Sequence, residues 1–228
     1  MGIDHRLRLW LLLSGLVAVA ACFFDKSVCH LMGAMSPSES LVFYRNLTDI
    51  GKAELYFKLS LIAWIVFGLS SEITNCKDLR RQLLEQSHEA WFALITLINS
   101  GLITVALKFI VGRTRPHVSQ SCSHHEFQMF SFDHLFQSFP SGHTQAVFTF
   151  AFLLSRRFPP MRYPAIIFAM LIAGTRVSRN VHFVSDVIGG ILVASVGLVL
   201  TEWIFNEYKF ASPVRFDRIS AHWAGLFG

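Results

Sequence analysis

"EAWFALITLINSGLITVALKFIV", residues 89–111, carries charge only at Glu89 and Lys108. A helix needs about 20 predominantly apolar residues to cross the hydrocarbon core of a bilayer, and this run reaches that length unaided. An ionisable group at a span end is costly unless it serves a partner or a ligand, so Lys108 marks where the helix meets something polar. The rest of the chain agrees with a membrane setting. Of 228 residues, 53% are hydrophobic and 15% charged, against about 25% charged in soluble domains. Mean hydropathy is +0.46. Phenylalanine fills 22 positions, which suits lipid-facing and interfacial surfaces, and no nucleic-acid partner is expected.

Five further apolar stretches flank this one, at 7–24, 56–71, 143–157, 162–177 and 183–205. Those at 7–24 and 183–205 reach spanning length unaided; the other three do so only by borrowing polar flanks. No barrel-type alternation appears, and there is no internal repeat. The expectation is an all-α polytopic membrane protein, with six transmembrane helices bundled into a single domain over residues 1–228 and the active site at one membrane face.

Basic residues give the orientation. With the N-terminus inside, eleven of the 20 Lys and Arg residues fall inside and nine outside, the direction of the positive-inside rule. Three of the outer nine, Lys108, Arg115 and Arg176, have a separate reason to be there. The opening "HRLRLWLLLSGLVAVAAC", residues 5–22, has the basic start, apolar middle and small-residue end of a signal peptide. A multi-span protein needs no separate signal, so it reads as an uncleaved first helix, and removal of residues 1–21 leaves the later topology unchanged. Cys29 and Cys122 would both face an oxidising compartment; a disulfide between them and two free thiols both satisfy the pattern.

Chemistry gathers in two loops, about 108–143 and 175–186. The first opens in "LKFIVGRTRPH" (107–117) and closes in "SFPSGHTQ" (138–145); the second is "GTRVSRNVHFVSD" (174–186). Alternating spans put both on one side. Lys108, Arg115 and Arg176 then suit an anion with several oxygens, since guanidinium forks match phosphate and Lys adds a point charge. Ser141 and Gly142 sit where a helix begins, and its free N–H groups bind phosphate where glycine permits close approach. His182 and Asp186, four apart, share a face if both are helical. A carboxylate on one imidazole nitrogen fixes the tautomer and frees the other nitrogen to attack. His143 is left to protonate the departing oxygen.

The spacing of these residues resembles the phosphatidic acid phosphatase type 2 superfamily, whose motifs read K-x6-RP, PSGH and SR-x5-H-x3-D. Here they fall on Lys108 to Arg115-Pro116, Pro140 to His143, and Arg176 to His182 and Asp186. The resemblance implies a metal-independent and cofactor-free phosphomonoesterase working through a phosphohistidine. It makes His182 the nucleophile, Asp186 its orienter, and His143 the acid and then the base. Lys108, Arg115, Ser141, Gly142 and Arg176 become phosphate ligands. One departure is Thr175, where the motif has Ser; the hydroxyl is kept. Ser178-Arg179 has the familiar letters at the wrong distance from His182.

Other polar clusters read as structure. His117, His134, Cys122, His124, His125 and Glu126 repeat no metal-ligand spacing, and are taken as a loop that is solvated or touches a headgroup. Arg113 and Arg179 flank the site either as selectors of a second negative group or as surface charges. Residues about 36–55, in the mixed aromatic and basic stretch 40–58, suit either an interfacial segment at a lateral lipid entrance or a plain connection. The functional expectation is a lipid phosphatase at the outer leaflet of a bacterial inner membrane. Its candidate substrates are lipid A, undecaprenyl diphosphate, phosphatidic acid or phosphatidylglycerol phosphate, so the partner is a phospholipid, glycolipid or polyprenyl phosphate. The alternatives are a lipid-to-lipid phosphotransferase and a non-catalytic lipid-binding or transport protein.

Overall fold

The computed structural model describes residues 5–34, 48–123 and 126–207. Within them lie α1 (His5–Ala34), α2 (Ala53–Ile73), α3 (Lys77–Val111), α4 (Gly142–Arg157), α5 (Arg162–Ser178) and α6 (Val184–Glu207), with short 3₁₀ turns at Gln120–Cys122, His134–Phe136 and Pro159–Met161. The only strand-like pairing among the described residues is an isolated bridge between Arg113 and Phe127.

Three of these helices, α2, α3 and α6, are long and apolar enough to cross a membrane. Among the described residues these three of the expected six are supported as spans. The α4 and α5 helices have 16 and 17 residues. At 1.5 Å per residue they rise only about 24–26 Å, short of a hydrocarbon core near 30 Å. The stretch 7–24 is only part of α1, which continues through Asp25 and Lys26 to Ala34. Residues 36–47 of the expected interfacial segment lie outside the described residues; Ala53 and beyond belong to α2.

The ends of α3 and α4 are set by local chemistry. Gly112 closes α3 in the left-handed region (φ 59°, ψ 45°), its N–H donating to the Lys108 carbonyl at 3.0 Å. A Cβ here would lie 1.7 Å from the Gln128 carbonyl oxygen, so both conformation and space require glycine. At the other loop end, Ser141 caps α4, its Oγ accepting from the Thr144 N–H.

The central helix is α4, packed against α3, α5 and α6, while α6 also carries α1. Ala146, Val147, Phe148 and Ala151 of α4 meet Ala169, Ile172 and Ala173 of α5 and Ala194 of α6 in a buried core. Small residues bring the backbones close, as between membrane helices generally: a Cβ on Gly197 would stand 2.5 Å from that of Ser100. A polar seam runs through this interior, with Gln145 Nε2 donating to Ser100 Oγ at 2.7 Å and Asn99 Nδ2 to Thr201 Oγ1 at 2.9 Å. By contrast α2 exposes Leu59, Ile62, Val66 and Leu69, a face suited to lipid. Far from the 108–143 loop, Arg156 ties α4 to Glu89 of α3 at 2.8 Å and to Glu202 of α6 at 3.9 Å.

Candidate active site

The three polar segments converge at one end of the bundle. The Ser141 N–H donates to the Asp186 carbonyl at 3.0 Å, and the Val181 and His182 N–H groups donate to the Arg176 carbonyl at 3.2 and 3.3 Å. These bonds fix the start of α4, the end of α5 and the start of α6 against one another. Gly190 lets α6 approach: a Cβ there would lie 2.7 Å from the Ser141 carbonyl oxygen. Beside Gly142 the nearest side-chain atoms are Lys108 Cε and Thr104 Cγ2, so α3 delivers its lysine to the first turn of α4.

His182 lies in the loop before α6 and not on the helix, contrary to the shared-face expectation. Asp186 reaches it from the first turn of α6 by folding back toward the helix start, its Oδ2 accepting the Phe183 N–H at 2.9 Å. This is the reach of a capping box, and it explains how a residue four positions on still meets the loop. His182 Nδ1 stands 3.6 Å from Asp186 Oδ2, beyond a good hydrogen bond. Ser138 fills the interval, its hydroxyl donating to Asp186 Oδ2 at 2.5 Å while its oxygen sits 3.4 Å from His182 Nδ1. With that proton committed to the carboxylate, the serine oxygen can accept only from an Nδ1–H tautomer, which leaves Nε2 unprotonated. Burial holds the His182 imidazole below its ordinary value, to about 4, with Asp186 pulling it back up. The ring is therefore neutral at neutral pH.

The cations ring this pair. Lys108 donates to the Gln137 carbonyl. Arg115 donates through Nε to the His134 carbonyl at 3.0 Å. Burial draws Arg115 below the usual guanidinium range, with Asp186 opposing, and it remains cationic at any working pH. Arg176 is buried, and its Nε has no hydrogen-bond partner. An unpaired buried donor is costly, and an anion would relieve it. His143 occupies the second position of α4, within electrostatic reach of Arg176 and His182. The N–H groups of Gly142 and His143 are first-turn donors without an i−4 acceptor. Ser141 is differently employed: its N–H and Oγ are both engaged in the fold, leaving Gly142 and His143 to offer free backbone donors.

The profile of the PAP2 superfamily matches residues 89–209. The chain belongs to the PAP2 superfamily. Two relatives named "Lipid A 1-phosphatase" are similar to it. The one from Rhizobium johnstonii is 29% identical over 159 residues, 70% of this chain and 65% of that protein. The one from Rhizobium etli is 28% identical over 83% of this chain and 80% of that protein. The match thus spans slightly less than two thirds of the first relative's length. Two crystal structures share the fold. Aquifex aeolicus LpxE has TM-score 0.57 at 19% identity, covering 79% of this chain and 95% of that one. The first transmembrane PAP2 type phosphatidylglycerolphosphate phosphatase from Bacillus subtilis has TM-score 0.58 at 20% identity, covering 92% and 96%.

In this PAP2 chain the motif residues foreseen from sequence, Lys108, Arg115, Ser141, Gly142, His143, Arg176, His182 and Asp186, all come to one place. Thr175, the departure from the motif, turns away: its Oγ1 bonds Thr48 Oγ1 at 2.7 Å and the Ile172 carbonyl at 2.6 Å. Sequence reasoning missed Ser138, which has no motif position, and left Arg113 open between two readings. Arg113 is 4% exposed, which removes both the surface charge and the outward selector. It bonds Asp186 Oδ1 at 2.6 Å and Asp25 Oδ2 at 2.9 Å. No spacing signal could have linked Asp25 to a loop 88 residues away. Cys29 and Cys122 form a disulfide, so Cys122 is unavailable to a metal; His124 and His125 lie outside the described residues.

Proposed function

We propose that this protein is an integral membrane lipid phosphatase that hydrolyses a terminal phosphate through a phosphohistidine on His182, without metal or cofactor. The observation that carries the reading is the buried, neutral His182 held by Ser138 and Asp186 beside Lys108, Arg115 and Arg176. The cations and the free N–H groups of Gly142 and His143 cradle the phosphoryl oxygens. Burial and Arg176 hold His143 below its ordinary value. A bound phosphate dianion offsets that cation, so the ring takes up a proton as substrate binds. When His182 Nε2 attacks phosphorus in line and the P–O bond to the lipid breaks, His143 gives that proton to the departing oxygen. Water then attacks the phosphohistidine while His143 takes its proton. The P–N bond breaks, releasing inorganic phosphate and neutral His182. Asp186 stabilises the ring while it carries charge.

Lipid A is the favoured substrate, supported by the names of the two rhizobial relatives. Phosphatidylglycerol phosphate is second, supported by the Bacillus subtilis fold match; phosphatidic acid and undecaprenyl diphosphate complete the panel. Exposed Phe130 and Phe132 beside Phe109 of α3 suit acyl chains next to the cation cluster. The site faces outward from a bacterial inner membrane, in keeping with the disulfide and with the basic residues of the opposite end.

The test is phosphate release by detergent-purified protein on that lipid panel with EDTA present. Release from one lipid, reduced at least about 10³-fold in His182→Ala, is expected. Equal release by the two proteins would remove His182 as nucleophile, and silence on every lipid would sink the phosphatase reading.

A further inference from the structure

The α1 helix lies outside all three motifs, yet it places a carboxylate at the back of the site. Asp25 is 1% exposed. Its Oδ2 takes the Arg113 NH2 group at 2.9 Å and the Ser185 hydroxyl, and its Oδ1 takes the Ser185 N–H at 3.0 Å. The other tooth of the Arg113 fork, NH1, serves Asp186 Oδ1 at 2.6 Å and Ser185 Oγ at 2.7 Å. The guanidinium also lies 4.2 Å over the Phe183 ring. One cation is therefore divided between two buried carboxylates, one nitrogen to each.

A guanidinium facing a single carboxylate prefers both parallel bonds. Were Arg113 to turn both nitrogens on Asp186, it would claim Oδ2, the oxygen that now holds Ser138 beside His182. Asp25 prevents this by keeping NH2 for itself. The helix carrying Asp25 is fixed one turn further on, where Cys29 is joined to Cys122; residues four apart share a helix face.

We infer that Asp25 and Arg113 are positioning residues for the His182–Asp186 pair: Asp25 holds Arg113 to one tooth on Asp186, so that Oδ2 stays committed to Ser138 and the imidazole. The inference rests on the proposed role of His182 and goes beyond the motif residues. It makes α1 part of the catalytic apparatus though it touches no substrate.

The test is Asp25→Asn, which keeps the shape and removes the charge that competes for Arg113. Turnover of the lipid that the wild type hydrolyses should fall about tenfold in kcat, with KM within about twofold, because the phosphate cradle is untouched. A crystal structure of the variant should show Arg113 with both nitrogens on Asp186 and Oδ2 withdrawn from Ser138. Ser185→Ala keeps every charge and serves if Asp25→Asn fails to fold; it should lower kcat about threefold with the same KM. Unchanged kcat, or a rise in KM alone, overturns the inference, as does a variant structure with Arg113 and Asp186 unmoved. If the wild type hydrolyses no lipid, the phosphatase reading fails separately, and the variant structure alone decides the positioning.

Discussion

At the scale of single residues, the site depends on how the two oxygens of Asp186 are divided. Oδ1 faces Arg113, and Oδ2 faces Ser138 and the Phe183 N–H. In Asp186→Asn an amide must replace an acceptor with a donor, so either Arg113 or Ser138 loses its bond. We expect kcat to fall about 10²- to 10⁴-fold, the range for a lost carboxylate orienter. Ser138→Ala removes only the bridge and should cost about tenfold in kcat; unchanged turnover would mean that Asp186 reaches His182 directly in the substrate complex. The imidazole also couples to stability. Its folded value of about 4 lies below the ordinary 6.5, so between those values the unfolded chain binds a proton that the native protein refuses. Stability should therefore fall as pH drops from 6.5 toward 4. Melting curves across that window test this: His182→Asn should lose less of its midpoint than the wild type, and equal slopes would assign the acid loss to other groups. The convergence of His182, His143 and the cations was legible because their motif spacing marks the helix ends and loops that the bundle brings together. Ser138 was not, because a serine three residues before Ser141 has no pattern of its own until the loop closes on Asp186.

Elements were legible where apolar length decided them and illegible where packing did. The α3 and α6 helices lie on the stretches 89–111 and 183–205, but α3 begins at Lys77, one polar turn after another before the apolar run. The α4 helix is short and studded with Thr144, Gln145, Thr149 and Ser155, all buried. Thr144 and Ser155 bond locally, to Ser141 Oγ and the Ala151 carbonyl, while Gln145 and Thr149 meet Ser100 of α3, a neighbour that no window of sequence reveals. Two glycines of α6 separate fold from function. At Gly197 a Cβ would press on Ser100 in mid-bundle, and at Gly190 on the Ser141 carbonyl and Thr144 at the mouth of the site. Overpacking of this kind costs about 1–3 kcal/mol, so Gly197→Ala and Gly190→Ala should lower the melting point by similar amounts. Only Gly190→Ala acts on the turn that holds Gly142 and His143, so it should lose several-fold more activity than Gly197→Ala. Parallel losses of activity in the two variants would show that α6 transmits any displacement along its length.

For the whole molecule, one long-range link supports the proposed orientation. The disulfide joins positions 93 apart at the site end of the bundle, and such bonds persist in oxidising compartments. Charge counting across loops favours the same orientation only by eleven to nine, because in that orientation the cations proposed for the site fall on the side that the positive-inside rule leaves poor. Cys76 supplies an independent reporter. It is exposed in the turn between α2 and α3, at the opposite end of α3 from Lys108. With the site outward, Cys76 faces the cytoplasm. A membrane-impermeant maleimide added to intact cells or spheroplasts should leave it unmodified, and the same reagent should label it once the membrane is broken, as read by peptide mass spectrometry. Labelling in intact spheroplasts would turn the bundle over. It would place His182 inside the cell and the Cys29–Cys122 pair in a reducing compartment, where a disulfide holding α1 to the site would not persist.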